Sequence, residues 1–409
     1  MKCSFLLVFA CAMGLVLAPV SRAKITFDFD YSIDQANFNF FNPATQAGLD
    51  ARAALTAAAQ VYQDRLLDTP SAITPGGVNT WTTDFPNPAT GQVHWAITNL
   101  NIPTGTLKVY VAGRDLGGAI GLGGPGGFTG NGDDAFKSAL LYRGQSSNQT
   151  DFAPWGGGIA FDKSVAWSFN LTGPVAAKND FLTAATHELA HVLGFGTSPS
   201  WKGLLTATVT PFGKVQYVGP FTGPKASALN GGPIPLETPP AQQSAADAVS
   251  NAAHFNNNTP STVAGHAQET IMDPDIQTGT RKQVTLLDWA ALDDIGWDLA
   301  RPGDANADGT VNFADLVTVA QNYGNTINPA RWSTGDFNYD GKVDFADLVA
   351  IAQNYGITGP QAAQGIPASQ ATFASDWAAA QAYADVPEPG MVGLIVLPAA
   401  ALLRRRRRD

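Results

Sequence analysis

A chain of 409 residues with 44% hydrophobic and 14% charged residues is long enough for two or three folded units and too apolar to be disordered. Its formal net charge of −10 argues against nucleic acid and anionic membranes as partners, and the chain between its ends is more acidic still, because Lys2, Arg22 and Arg404–Arg408 lie at the extremities. Both cysteines, Cys3 and Cys11, fall near the start, so the remainder has no thiol for a catalytic cysteine, a cysteine metal site or a disulfide scaffold.

Residues 1–23 begin with Lys2, run through the apolar Phe5–Val20 and end in Ser21-Arg22-Ala23. That order is expected of a secretory signal peptide cut after Ala23. From Lys24, ITFDFDYS alternates with period two and predicts a strand. Gln46–Leu67 is alanine-rich with Leu, Val and Tyr at helical spacing, which predicts a long amphipathic helix. Leu107–Ala112 (LKVYVA) predicts a second strand, and the glycine-rich Gly117–Asp134 after it reads as a surface loop. Trp155–Asp162 (WGGGIAFD) predicts a third strand, either an edge that pairs with an extended substrate or a buried core strand. Lys178–Leu193 predicts a helix, Gly194–Ala245 is rich in proline and glycine, and Gln283–Ile295 predicts a helix stopped by Gly296. This order predicts an α+β domain over residues 24–298.

The chemistry concentrates in HELAHVLGFGTS, His187–Ser198. His187 and His191 are four apart and share one face of a helix, where neutral imidazoles can hold one Zn²⁺. Glu188 is placed to act as general base toward a water activated by that metal, without ligating it. A three-histidine motif would carry its last ligand where Thr197 stands. A third histidine ligand would then come from His254 or His266, since His94 on QVHWAI reads as structural, and a glutamate is the other option. Ile271-Met272-Asp273-Pro274 follows closely.

These segments resemble the metzincin metallopeptidases, in particular the leishmanolysin-like branch, where the third histidine also follows a long insertion. Ile271–Pro274 is similar to the family's methionine turn, with Met272 beneath the metal. Gly279-Thr280-Arg281-Lys282 and Leu287–Trp297 resemble the ending of bacterial metalloproteases with sorting tails. The resemblance implies His254 as third ligand, because an aromatic residue, Phe255, follows it; His266 is the runner-up. A glutamate ligand fits poorly, as Glu237 lies in IPLETPP and Glu269 reads as packing near the turn.

Beyond Asp298 the sequence repeats itself as GDANADGTVNFADLVTVAQNYG and GDFNYDGKVDFADLVAIAQNYG. Each copy holds a twelve-residue loop with oxygen ligands at alternating positions and glycine at the sharp turn, as Ca²⁺ requires. The first loop offers Asp304, Asn306, Asp308, the Thr310 carbonyl and Asp315; the second offers Asp336, Asn338, Asp340, the Lys342 carbonyl and Asp347. Asn312 and Asp344 occupy the ninth positions, often bridged by water. One helix follows each loop, so residues 301–356 resemble a type I dockerin. The resemblance implies a small all-α domain, two Ca²⁺ and a cohesin-like partner.

Residues 357–385 are rich in Ala, Gln and Gly and read as a linker. Residues 386–409 carry Pro387-Glu388-Pro389, the apolar Met391–Leu403 and five arginines, and resemble a PEP-CTERM sorting signal. That resemblance implies processing by an exosortase and display at the surface, or release outside, of a Gram-negative-type bacterium. Together these features predict an exported zinc endopeptidase acting on protein or peptide substrates. The competing expectation is a noncatalytic surface or scaffold protein whose protease domain has degenerated.

Overall fold

The computed structural model describes residues 25–147, 149–209, 215–237, 252–360 and 370–384. The expected signal peptide and sorting tail lie outside these residues.

Thr26–Asp30 pairs in parallel with Thr106–Arg114, which pairs in parallel with Gly156–Asp162. Gly121–Pro125 closes this four-stranded sheet as an antiparallel edge. Side chains alternate across the central strand. Leu107, Val109 and Val111 enter one core, whereas Tyr110 and Ala112 enter another with Trp81, Phe85 and Trp155. The sheet is thus covered on both faces, which explains the continuous apolar run in LKVYVA.

Two expectations are corrected here. Gly156–Asp162 is an inner strand paired on both sides, so it cannot be the edge that takes a substrate. The glycine-rich segment is no surface loop: it forms the edge strand itself and then Gly127–Asn131, which pairs with Thr80–Asp84. Glycine permits this close packing. A side chain at Gly121 would strike the Glu188 carboxylate, and one at Gly123 would meet the Glu188 backbone oxygen at 2.6 Å.

The helix Gln46–Gln63 lays its small residues Ala51, Ala54, Ala58 and Ala59 into the first core. It packs on the helix Phe181–Val192, and the Tyr62 hydroxyl donates to the Thr186 carbonyl at 2.8 Å. All twelve residues of Phe181–Val192 are buried. Asp180 caps that helix, accepting from the Thr183 backbone N–H, and is itself gripped by Arg281 through contacts of 2.8 and 2.9 Å. A carboxylate suits the positive end of a helix, and the guanidinium keeps its buried charge paired.

Mixed α/β structure thus occupies the larger unit, and a small all-α unit follows it. Helices Phe313–Asn322 and Phe345–Asn354 each follow one repeat loop. The segment read as a linker is corrected in part, because Gln370–Ala384 is a helix lying on Phe313–Asn322. Trp377 meets Tyr323 and Phe373 meets Tyr355, both with ring centroids 5.7 Å apart, and the Tyr355 hydroxyl donates to Asp376 at 2.6 Å. Alanine-rich composition concealed three anchors at helical spacing, Phe373, Asp376 and Trp377.

The two units touch. The Arg65 guanidinium is held between the rings of Trp289 and Trp332, at 4.5 and 4.6 Å from their centroids. Ser333 donates to Asp64 at 2.8 Å, and the Ala300 N–H donates to the Arg65 carbonyl at 2.7 Å.

Candidate metal centre

The helix Phe181–Val192 presents His187 and His191 one turn apart, and the chain returns after a long excursion to deliver His254 beside them. Their Nε2 atoms converge: His187 to His191 is 3.1 Å, His187 to His254 is 3.1 Å and His191 to His254 is 3.0 Å. A tetrahedral metal with bonds near 2 Å spaces its ligand atoms by about 3.3 Å.

Hydrogen bonds on the far side of two rings set their tautomers. His187 donates from Nδ1 to the Ile271 carbonyl at 2.7 Å, and His191 donates from Nδ1 to the Phe195 carbonyl at 2.9 Å. Both rings therefore aim bare Nε2 lone pairs at one point, where they cannot bond to each other. Burial pushes the imidazoles of His187 and His191 down to about 3 and about 4, and that of His254 well below its usual range. Neutral rings with converging lone pairs fit a cation, and among the described residues only the three rings themselves meet at that point. The residues present fit a metal ion.

Backbone geometry explains how the third histidine arrives. Gly194 and Gly196 adopt φ of 103° and 73°, a region that favours glycine. A side chain on Gly196 would overlap the Ala253 backbone, so the chain carrying His254 can press against this turn. Trp201 donates its indole N–H to the Ala252 carbonyl at 3.0 Å and locks the same strand of chain. Thr197, standing where a histidine would close the motif, donates its hydroxyl to the His191 carbonyl at 3.0 Å and helps to terminate the helix.

His266 lies apart. It is exposed on a hairpin of Pro260–Val263 and His266–Glu269, paired with Val263. That hairpin absorbs the long interval between His254 and Met272, whose backbones then meet again through the Phe255 N–H and the Met272 carbonyl at 3.0 Å. His94 is also remote, exposed and bonded to Asp84 at 2.8 Å.

Met272 is fully buried in the turn. Asp288 holds this turn by accepting from the N–H groups of Ile271 at 3.0 Å and Met272 at 3.3 Å, while also forming a capping box with Thr285. Lys282 grips it from below, contacting Asp273 at 2.7 and 2.9 Å and Glu269 at 3.0 Å. Asp288 was missed by sequence reasoning, although T-L-L-D before an apolar run is a readable capping signal. Glu237, set aside as a ligand, lies outside the triad with its carboxylate 3.7 Å from His254 Nδ1.

The triad floors a cleft of about 600 Å³. The edge strand and Pro274, Asp275 and Ile276 line it, and Glu188 lies against the edge strand. Burial pushes the Glu188 carboxyl up to about 8, against the lowering effect of a hydrogen bond from the Gly123 backbone. A buried carboxylate beside a cluster of metal-ligand type, open to a cleft, is suited to moving protons.

The repeat loops form a second kind of site. Asp304 accepts from the N–H groups of Asp308 and Gly309, and Asp336 accepts from those of Asp340 and Gly341, at 2.9–3.1 Å. Asp315 and Asp347 close their loops and act as capping-box acids of the helices that follow. Asn312 and Asp344 cap those helices, bonding to the Ala314 and Ala346 N–H groups. Burial, reinforced by neighbouring aspartates, pushes Asp315 and Asp336 up to about 7 and Asp347 to about 6. Crowded buried carboxyls of one sign fit a divalent cation. Asn306 and Asn338 each donate to the aspartate two residues on, at 3.0 Å.

Residues 302–355 match the family model described as the dockerin type I domain, so this part of the chain is a type I dockerin domain. No curated protein and no solved structure matches the chain.

Proposed function

We propose that the chain is an exported zinc-dependent endopeptidase that carries a calcium-binding docking module. The observation that carries this reading is the convergence of three Nε2 atoms on one point of a cleft that also holds Glu188. His187, His191 and His254 would hold the metal, and histidine nitrogens in a three-ligand set with an open side suit zinc. Bound zinc supplies a Lewis acid that makes a water nucleophilic near neutral pH and polarises a peptide carbonyl.

The protein's own groups do the rest. Glu188 accepts the water proton on a carboxylate oxygen and returns it to the leaving amine nitrogen. The Gly121–Pro125 edge offers one row of backbone groups to which an extended peptide can add as a further strand. Ile271 and Phe195 hold two of the ligand rings through their carbonyls, so the ligands do not reorganise during turnover. The methionine turn and the late histidine are the features that resemble the metzincins, and they support placing the unit near that group. The dockerin domain supports extracellular work, two Ca²⁺ and a cohesin-type partner.

The test uses the full chain, loaded with zinc in calcium-containing buffer. Metal analysis is expected to give one zinc for the wild type and for Glu188→Ala and His266→Ala, and loss of zinc for His254→Ala. Casein cleavage is expected to fall about 10²–10⁴-fold in Glu188→Ala. A wild type that binds zinc and cleaves nothing would favour the noncatalytic docking protein, and one that binds no zinc would end the enzyme reading.

A further inference from the structure

Lys202 belongs to the short helix Pro199–Gly203 and is the one lysine or arginine among the described residues that line the metal cleft. It shares the cleft lining with Gly196, Thr197, Ala253 and His254. Its place is rigidly set. Ser198 caps the helix by accepting from the Trp201 N–H at 3.0 Å, and Trp201 is fully buried and bonded to Ala252, two residues before His254. The base of the lysine is therefore tied to the same chain that carries the third histidine.

Its ammonium makes no ion pair with a described residue. Burial lowers its proton affinity. The carboxylates among the described residues of the cleft lining are Glu188, engaged with the edge strand, and Asp275, which follows the methionine turn. A half-buried ammonium that pairs with no described residue and lines a cleft is available to an anionic group entering that cleft.

On the peptidase reading above, we propose that Lys202 is a specificity residue that binds a carboxylate of the peptide substrate close to the metal. The carboxylate is either an acidic side chain near the scissile bond or the free carboxyl terminus of a short peptide. A charge-assisted contact to an ammonium fixed on the cleft wall would select such peptides over neutral isosteres.

The test compares fluorogenic octapeptides carrying Glu, Gln or Lys at each position around the cleaved bond, each made as free acid and as amide. The wild-type full chain is expected to show kcat/KM about tenfold higher for one carboxylate-bearing arm than for its neutral match. A preference in the Glu series assigns the side chain; a preference for acid over amide assigns the terminus. Lys202→Met is expected to treat matched peptides alike, and Lys202→Glu to prefer the Lys series. Equal rates in the wild type, or a preference that survives in Lys202→Met, overturns the assignment. Binding of the same labelled peptides to zinc-loaded Glu188→Ala, followed by fluorescence anisotropy, separates the two readings. Carboxylate-selective binding that depends on Lys202 but leads to no cleavage in the wild type would keep the site and sink the peptidase. Binding without that selectivity would sink the site alone.

Discussion

At the scale of single residues, burial does more than sequence spacing can indicate. Asp68 lies in the seam where the chain leaves the mixed unit, accepting from Gln145 and from the Asp298 N–H, both at 2.9 Å. Burial, and then the nearby Asp298 charge, pushes its carboxyl up to about 8. An unfolded aspartate titrates near 4, so between about 4 and about 8 the native state holds more protons than the unfolded one. Stability from this group is full below pH 4 and is lost as pH rises through 8. Asp68→Asn keeps a neutral side chain of the same shape and removes that slope. Urea midpoints of the wild type are expected to fall more steeply between pH 5 and 8.5 than those of the variant, and parallel profiles would contradict the assignment. Nothing local to Asp68 in the sequence reports the depth at which it ends.

At the scale of elements, the site depends on segments that brace one another. Asp288, on the helix Leu286–Asp294, carries the turn of Ile271 and Met272, and the Ile271 carbonyl in turn orients His187. Asp288→Asn replaces one acceptor oxygen by a donor facing backbone N–H groups. The expected cost is about 1–3 kcal/mol of unfolding free energy with weaker zinc retention on dialysis. Unchanged denaturation and unchanged metal content would show that the turn holds itself. The glycine-rich edge strand teaches the complementary point. A strand written GLGGP has no side-chain alternation to detect, so its period is invisible, and Gly121 and Gly123 are explained only by the nearness of Glu188.

At the scale of the whole molecule, the dockerin domain is held by its own chain on two sides. Arg65 between Trp289 and Trp332 joins it to the mixed unit, and the helix Gln370–Ala384 covers its first helix. From Arg65 a packed path leads through Trp289 to Tyr62, whose rings are 5.6 Å apart, and on to Thr186 beside His187. Ca²⁺ bound in the loops is thus expected to stabilise both units as one. Calorimetry of the zinc-loaded chain should show one transition, lowered by roughly 5 °C when EGTA removes saturating Ca²⁺. Two transitions, with the upper one indifferent to Ca²⁺, would mean that the units fold independently.

Much of this protein is local and is therefore readable from order alone. Histidines four apart around a glutamate declare a helix face of metal-ligand type, and a doubled loop of Asp, Asn and Gly declares two cation loops with their helices. The calcium loops read well because all their groups lie within twelve residues. Tertiary structure decided what involves distant chain. It brought His254 rather than His266 to His187 and His191, because a glycine turn admits the Ala253 backbone while a hairpin carries His266 away. It also made the glycine strand, and not WGGGIAFD, an edge of the sheet, and placed Lys202 in the lining of the cleft. Spacing along a helix or loop is written in the sequence, whereas which remote segments pack together depends on the whole core, and no local pattern encodes it.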